Sequence, residues 1–322
     1  MSDYLVADIG GTNARFGLVT AEGGEVFGVE TIKASEAGSL TAAAQNYLKK
    51  AQCIRPPTHA CFGVASPVSG DQVKLTNSPW QFSISELENQ LGLQKLLVVN
   101  DFAAVAASIL QLNTSDYISI GETPKVEENG PRAILGPGTG LGMATLVPYH
   151  DSFVPVPTEG GHAQFCPSTD LEKDIKDFLL RSHDFVSNEM ILSGRGLLKL
   201  MAALKAINGE SDDTSPDISD FKERYASGNK LVKECLNLFF DILGSVAGDY
   251  ALQTGSRSGV FVAGGIAPRY IEEIKSSNFR ERFVSKGRFR SYLEAIPTSV
   301  IVAAQPGLLG AAAIIDLEGE NP

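Results

Sequence analysis

The stretch that decides the fold reads Tyr4-Leu5-Val6-Ala7-Asp8-Ile9-Gly10-Gly11-Thr12-Asn13-Ala14-Arg15. Tyr4 to Ile9 is short, apolar and β-compatible, the Gly10-Gly11 pair turns the chain, and the pattern resumes from Arg15 to Thr20 and from Val26 to Ile32. These runs predict a three-strand antiparallel meander. Its glycine turn exposes backbone N–H groups and lets a phosphate oxygen come close to the chain. Read alone, such a hairpin is more often a turn and nothing else.

Outward from the hairpin, Ser39 predicts the N-cap of a helix through Ala51, followed by strands near His59 to Ala65 and Gln72 to Thr76. Ser85-x-x-Glu88 has the spacing of a capping box and opens a short helix ending near Gly92. Leu96 to Val99 reads as a buried strand that ends at Asn100-Asp101, with a helix from Phe102 to about Gln111. After the polar stretch Gly121 to Pro131 the opening theme returns. Ala133 to Gly136, Leu141 to Pro148 and Ser152 to Pro157 predict a second meander with a glycine-rich first turn. Helical patterns follow at Leu171 to His183, Gly196 to Ile207 and Asp217 to Tyr225, with Asn208 to Pro216 read as a mobile loop. From Lys230 to Gln253, apolar residues recur every three to four positions, which predicts a core helix. Val260 to Ala263 and Val300 to Val302 read as strands, and Leu308 to Asp316 as a closing helix.

Composition narrows the classes. With 322 residues, 43% of them hydrophobic, the chain can build two domains of about 100 to 200 residues each. Against 27 basic residues stand 38 acidic ones, a net charge of -11, and no Lys/Arg run tracks a phosphate backbone, so nucleic acid is not an expected partner. Met1 to Ile9 lacks a basic leader region, so no signal peptide is expected; no run approaches about 18 apolar residues, so no membrane span is expected. Cys53, Cys61, Cys166 and Cys235 are scattered and read as reduced thiols, and the four histidines show no metal-type spacing. No structural metal is expected.

Two further glycine clusters join the first. Gly136-Pro137-Gly138-Thr139-Gly140-Leu141-Gly142 heads the second meander, and Val262-Ala263-Gly264-Gly265-Ile266 lies where a strand hands over to a helix. No Walker sequence and no protein-kinase signature set is present, so phosphates are not gripped by those devices. Asp101, just past the end of a buried strand, is placed to accept a hydroxyl proton in phosphoryl transfer, and equally to cap the following helix. Glu159-Gly160-Gly161-His162 offers a carboxylate and an imidazole that suit sugar hydroxyls, although a lone histidine more often belongs to a core or a surface.

The ordered set resembles the superfamily of sugar kinases, actin and heat-shock chaperone ATPases. Within it the chain is most similar to bacterial glucokinases of the type lacking a zinc-binding cysteine cluster. The likeness covers essentially the whole chain, including Thr76-Asn77-Ser78-Pro79-Trp80, Asn100-Asp101-Phe102, Glu159-Gly160-Gly161-His162, Glu189-Met190-Ile191-Leu192-Ser193-Gly194 and Gln305-Pro306-Gly307-Leu308-Leu309-Gly310. The last block departs from the family's pattern, which often has asparagine where Gln305 stands.

The resemblance implies an α/β, two-lobed sugar kinase/actin-like ATPase (ribonuclease H-like) fold with a central cleft. It divides the chain into a smaller domain, residues 1–111 plus 302–322, and a larger one, residues 112–301. It implies ATP-dependent phosphorylation of glucose at the 6-hydroxyl, the alternatives being a broader hexose or fructose kinase or a sugar-responsive regulator on the same scaffold. The regulator reading leaves no room for a DNA-binding helix pair ahead of Asp8. A chaperone or filament subunit would not explain the Glu-Gly-Gly-His segment. By resemblance Asp101 is the catalytic base, and Asn100, Asp101, Glu159, His162 and Glu189 contact the sugar. Read alone, Glu189 is also an ordinary first-turn helix residue. The nucleotide would be held by Asp8, Gly10, Gly11, Thr12, Asn13, Gly138, Thr139, Gly140, Gly264 and Gly265. Mg²⁺ would arrive on ATP and meet Asp8 through water, with no dedicated protein cage. Asp8 read alone is an acidic strand-end residue. A cytoplasmic homodimer completes the expectation.

Overall fold

The computed structural model describes residues 3–20, 25–51, 55–76, 78–122, 124, 129–209 and 221–319. Cys53, Asn77 and most of the predicted loop from Asn208 to Pro216 lie outside the described residues. The chain forms two compact units, Met1–Asp116 with Leu146–Pro157 and Ala303–Pro322, and Tyr117–Thr145 with Thr158–Val302.

In the first unit the predicted meander is present as β1 (Tyr4–Ile9), β2 (Asn13–Val19) and β3 (Phe27–Lys33), paired antiparallel. Then come α1 (Leu40–Lys50), β4 (His59–Val64), β5 (Gln72–Lys74), β6 (Gln81–Ser83), α2 (Ile84–Leu91), β7 (Lys95–Asn100) and α3 (Asp101–Ser108). The main sheet runs β3-β2-β1-β4-β7, and β1, β4 and β7 are parallel. Both faces of β1 are buried, which is why its sequence is apolar almost throughout. Leu5, Ala7 and Ile9 join a core with Phe16, Tyr47 and Phe62, whereas Val6 faces Cys61, Ala104, Leu308 and Ala311. The Phe16 ring stacks on Tyr47 and meets Phe62 edge-on. The C-terminal helix Pro306–Gly319 packs on α3 so closely that a Cβ at Gly310 would run into the Ala104 carbonyl oxygen.

Ser39 caps α1 as expected, accepting from Ala42 N at 3.1 Å. The start of α2 differs from expectation. Two overlapping Ser-x-x-Glu boxes compete, and Ser83, not Ser85, is the cap that accepts from Glu86 N. Asp71 decides it, because its carboxylate takes the Ser83 hydroxyl at 2.6 Å and Ser85 N at 2.8 Å. Glu88, the other half of the expected box, instead accepts from Leu96 N.

The rest of the chain repeats the theme. β8 (Tyr117–Ser119), β9 (Arg132–Pro137), β10 (Leu141–Tyr149) and β11 (Ser152–Thr158) precede α4 (Asp170–Leu180), α5 (Gly194–Ile207), α6 (Phe221–Ala226) and α7 (Lys230–Thr254). β12 (Val260–Val262), α8 (Ile271–Ser276), α9 (Phe279–Val284), α10 (Arg290–Glu294) and β13 (Thr298–Ile301) follow. The sheet order is β11-β10-β9-β12-β13-β8, with β9, β12 and β13 parallel. As in the first sheet, a meander is continued by two parallel strands.

α7 is the predicted core helix. Asn229 caps its start, Gly255 in the left-handed region ends it, and 15 of its residues are buried, which explains apolar character long enough to match a membrane span. α9 lies directly on it, since Cβ atoms at Gly244 and Gly248 would meet the carbonyl oxygens of Phe279 and Phe283. Between α4 and α9 the fully buried Glu172 pairs with Arg282 at 2.6 Å and accepts from Ser168 N at 2.6 Å. The short elements β8, α8, α9 and α10 were not legible in the sequence. Three to six residues carry little periodicity, and no side chain caps the three helices.

Candidate active site

In the first unit the predicted residues gather at the C-terminal ends of parallel strands, where open α/β sheets place ligands. Asp8 lies near the end of β1 and Asp101 directly follows β7, with β4 between them. Two strand spacings put their backbones about 10 Å apart. The turn is tight, Gly10 N donating to Asn13 O at 2.9 Å, and Thr12 O accepts from Ala34 N. Across the hairpin Arg15 stands opposite Asp8 and donates from Nη1 to Oδ2 at 3.1 Å. Burial pushes the Asp8 carboxyl above its usual range, and Arg15 opposes that rise. Its side chain nevertheless keeps 25% of its accessible surface. Gly307 is pressed against it; a Cβ there would stand 3.0 Å from Asp8 Cγ.

Of the two roles open to Asp101, capping belongs to its neighbour. Asn100 Oδ1 accepts from Phe102 N at 2.9 Å and Ala103 N at 3.3 Å, and its amide donates to Ser66 O at 3.4 Å. Asp101 is the first residue of α3, with Oδ1 accepting from Phe102 N at 2.9 Å. Gly63 on β4 makes room for this start, because a Cβ there would lie 3.2 Å from Ala104 Cβ. The carboxylate thus sits at the positive end of a helix, which favours negative charge.

In the second unit three predicted segments meet. The Gly136–Gly142 turn is closed by Gly138 N to Gly140 O at 2.8 Å, and Gly194 N reaches Gly138 O at 2.8 Å. Gly264, at φ +80°, packs on Pro137 O where a side chain would not fit, and Ile266 N donates to the same oxygen at 3.2 Å. The two glycine clusters are therefore one surface. Glu159 and His162 flank a single 3-10 turn, exposed, with Nε2 and Oε2 3.9 Å apart. Glu189 N donates to Gly161 O at 2.8 Å, and Glu189 Oε2 accepts from Leu141 N at 2.8 Å. Gly161 is required at this junction, since a Cβ would run into Leu141 O. A cavity of about 390 Å³ in the same unit is lined by Met143, Gly160, Asn188 and Tyr250 among others, but not by Glu159, His162 or Glu189.

Sequence reasoning missed three participants: Arg15, Gly307 and the Leu141 amide. Arg15 was findable, because it lies two residues past the Gly10–Asn13 turn and Asp8 two residues before it, which sets the pair opposite each other. Gly307 lay within a quoted motif, yet only the return of the C-terminal helix brings it to Asp8. Gln305, where the family often has asparagine, adopts φ 57°. Asparagine enters the left-handed region more readily than glutamine, which accounts for that preference.

A model of the family described as Glucokinase matches residues 5–318. A glucokinase of Saccharophagus degradans is 39% identical over 98% of this chain and 99% of its own length. The crystal structure of a glucokinase from an Antarctic psychrotroph superposes with a TM-score of 0.89 at 36% identity, covering 98% of this chain and 99% of that one. A ROK-family glucokinase of Streptomyces griseus, solved with glucose and AMPPNP, shares the fold at a TM-score of 0.64 and 19% identity over 97% and 98% of the two chains. With matches of this length and strength, and with two glycine-turned α/β units of the sugar kinase and actin type, this chain belongs to the glucokinase family.

Proposed function

We propose that this chain is a glucokinase that transfers the γ-phosphoryl group of ATP to the 6-hydroxyl of glucose. The observation that carries the reading is the junction in the second unit, where Glu189 joins the Glu159–His162 turn to the Gly136–Gly142 turn. Groups suited to sugar hydroxyls stand beside a backbone suited to phosphates.

In this reading Asp101 takes the proton of the 6-hydroxyl as its oxygen bonds to the γ-phosphorus. The bond from that phosphorus to the β-γ bridging oxygen breaks, ADP leaves, and the proton passes from Asp101 to solvent. Glu159 and Glu189 accept from sugar hydroxyls and His162 donates to one, so analogues lacking a hydroxyl strand a polar group and bind poorly. The turns at Gly10–Asn13, Gly138–Gly140 and Gly264–Gly265 receive the nucleotide. Among the described residues no three His, Cys, Asp or Glu side chains gather as a metal cage, while Asp8 stands partly accessible beside its turn. That arrangement fits Mg²⁺ carried on ATP and met by Asp8 through water. When bound, the ion neutralises charge between the β- and γ-phosphates. The same reading makes the protein a cytoplasmic homodimer at the entry of glucose into glycolysis.

The test is ADP release from Mg-ATP across a panel of hexoses, with the position of the new phosphate read by NMR. Glucose turns over to the 6-phosphate and fructose turns over poorly. Equal kcat/KM for both sugars would replace the glucokinase reading by that of a general hexose kinase.

A further inference from the structure

The junction at Glu189 does more than hold a sugar ligand in place, and the inference drawn from it rests on the sugar-kinase reading above. One carboxylate oxygen, Oε2, is committed to Leu141 N at 2.8 Å. The other, Oε1, has no hydrogen bond among the described residues. Glu189's own amide is tied to Gly161 O, in the turn that carries Glu159 and His162. Gly140 lies directly under the carboxylate, since a Cβ at that position would overlap Oε2. Gly140 is not among the glycines at positive φ, so space and not backbone conformation explains the missing side chain. Leu141 N in turn belongs to the Gly136–Gly142 segment, the backbone offered to phosphate in that reading.

We infer that Glu189 is a positioning residue that couples the two substrates: Oε2 fixes the phosphate turn through Leu141 N while Oε1 takes a sugar hydroxyl. A sugar hydroxyl donated to Oε1 orders the carboxylate, and the ordered carboxylate holds the turn in the shape that receives phosphate. Each ligand then meets a site the other has already ordered, and by linkage the tightening is the same in both directions. Hydrogen bonds polarised through one shared carboxylate add to the effect.

The experiment is calorimetric titration of glucose into the full chain with and without saturating Mg-AMPPNP, for wild type, Gly140→Ala and Glu189→Gln. Wild type tightens glucose by about 5-fold or more when the analogue is bound. Gly140→Ala displaces the carboxylate from Leu141 N and brings the ratio to within about 2-fold of unity. Glu189→Gln keeps an amide oxygen that accepts from Leu141 N but puts an NH₂, which cannot accept, where Oε1 takes the sugar hydroxyl, so it weakens glucose binding and likewise brings the ratio toward unity. This second variant leaves Gly140 untouched and covers the case in which the alanine variant does not fold. A Gly140→Ala protein with the full ratio overturns the inference, as does a Glu189→Gln protein that retains it. So does a wild type that binds both ligands with no coupling. A wild type that binds no glucose overturns instead the functional reading on which the inference stands.

Discussion

At the scale of single residues, the step from β7 into α3 is made by Asn100, which caps the helix, and Asp101, which begins it. Asn100 and Asp101 were legible as a polar pair at a strand end, and of the two roles suggested for Asp101 the capping one is filled by Asn100. Nothing local separates an Asn cap followed by Asp from the reverse, and only the hydrogen bonds of Asn100 Oδ1 to Phe102 N and Ala103 N do so. Asp8 carries a prediction of its own. Because burial raises its carboxyl pKa in the fold, the folded chain holds that proton more tightly than the unfolded chain. Ionisation of Asp8 therefore costs the fold stability as pH rises above about 4, and the cost is fully present once pH exceeds the folded value. Asp8→Asn accordingly unfolds at a higher temperature than wild type at pH 7, an advantage that shrinks as pH falls toward about 4, while its turnover of ATP drops. A lower unfolding midpoint for the variant at pH 7 would show that the ion pair with Arg15 outweighs burial.

At the scale of elements, what was legible followed the strength of periodicity. β1 and α7 were readable nearly to the residue, β1 as a short continuous apolar run buried on both faces and α7 by apolar residues recurring every three to four positions. The α2 cap was misread by two residues, since two boxes overlapped and a distant carboxylate, Asp71, chose between them. Glycines inside helices were silent in the sequence and decisive in packing. Gly244 lets the backbone of α9 rest on α7, so Gly244→Ala must push α9 away from the helix. Alanine in place of glycine improves helix propensity by about 1 kcal/mol, and overpacking against a backbone carbonyl costs about 1 to 3 kcal/mol or more. The net expectation is a loss of stability, read as a lower urea midpoint at unchanged slope. An unchanged or higher midpoint would mean that α9 yields without cost.

At the scale of the molecule, the repeated glycine-turned meander was visible in the sequence from residue 4 onward, whereas its continuation by parallel strands in both sheets emerges only in the fold. Invisible in the sequence were the junctions, such as Gly307 on Asp8 and Glu189 on Leu141, which join segments 48 to 299 positions apart. The reaction proposed here rests on Asp101. Its central claim is that Asp101 removes the proton from the attacking hydroxyl. The most direct measurement compares wild type with Asp101→Asn for glucose-dependent ADP release, alongside glucose affinity by calorimetry. The account predicts a kcat lower by about 10²- to 10⁴-fold with glucose affinity mostly retained. Near-normal turnover by Asp101→Asn would contradict it.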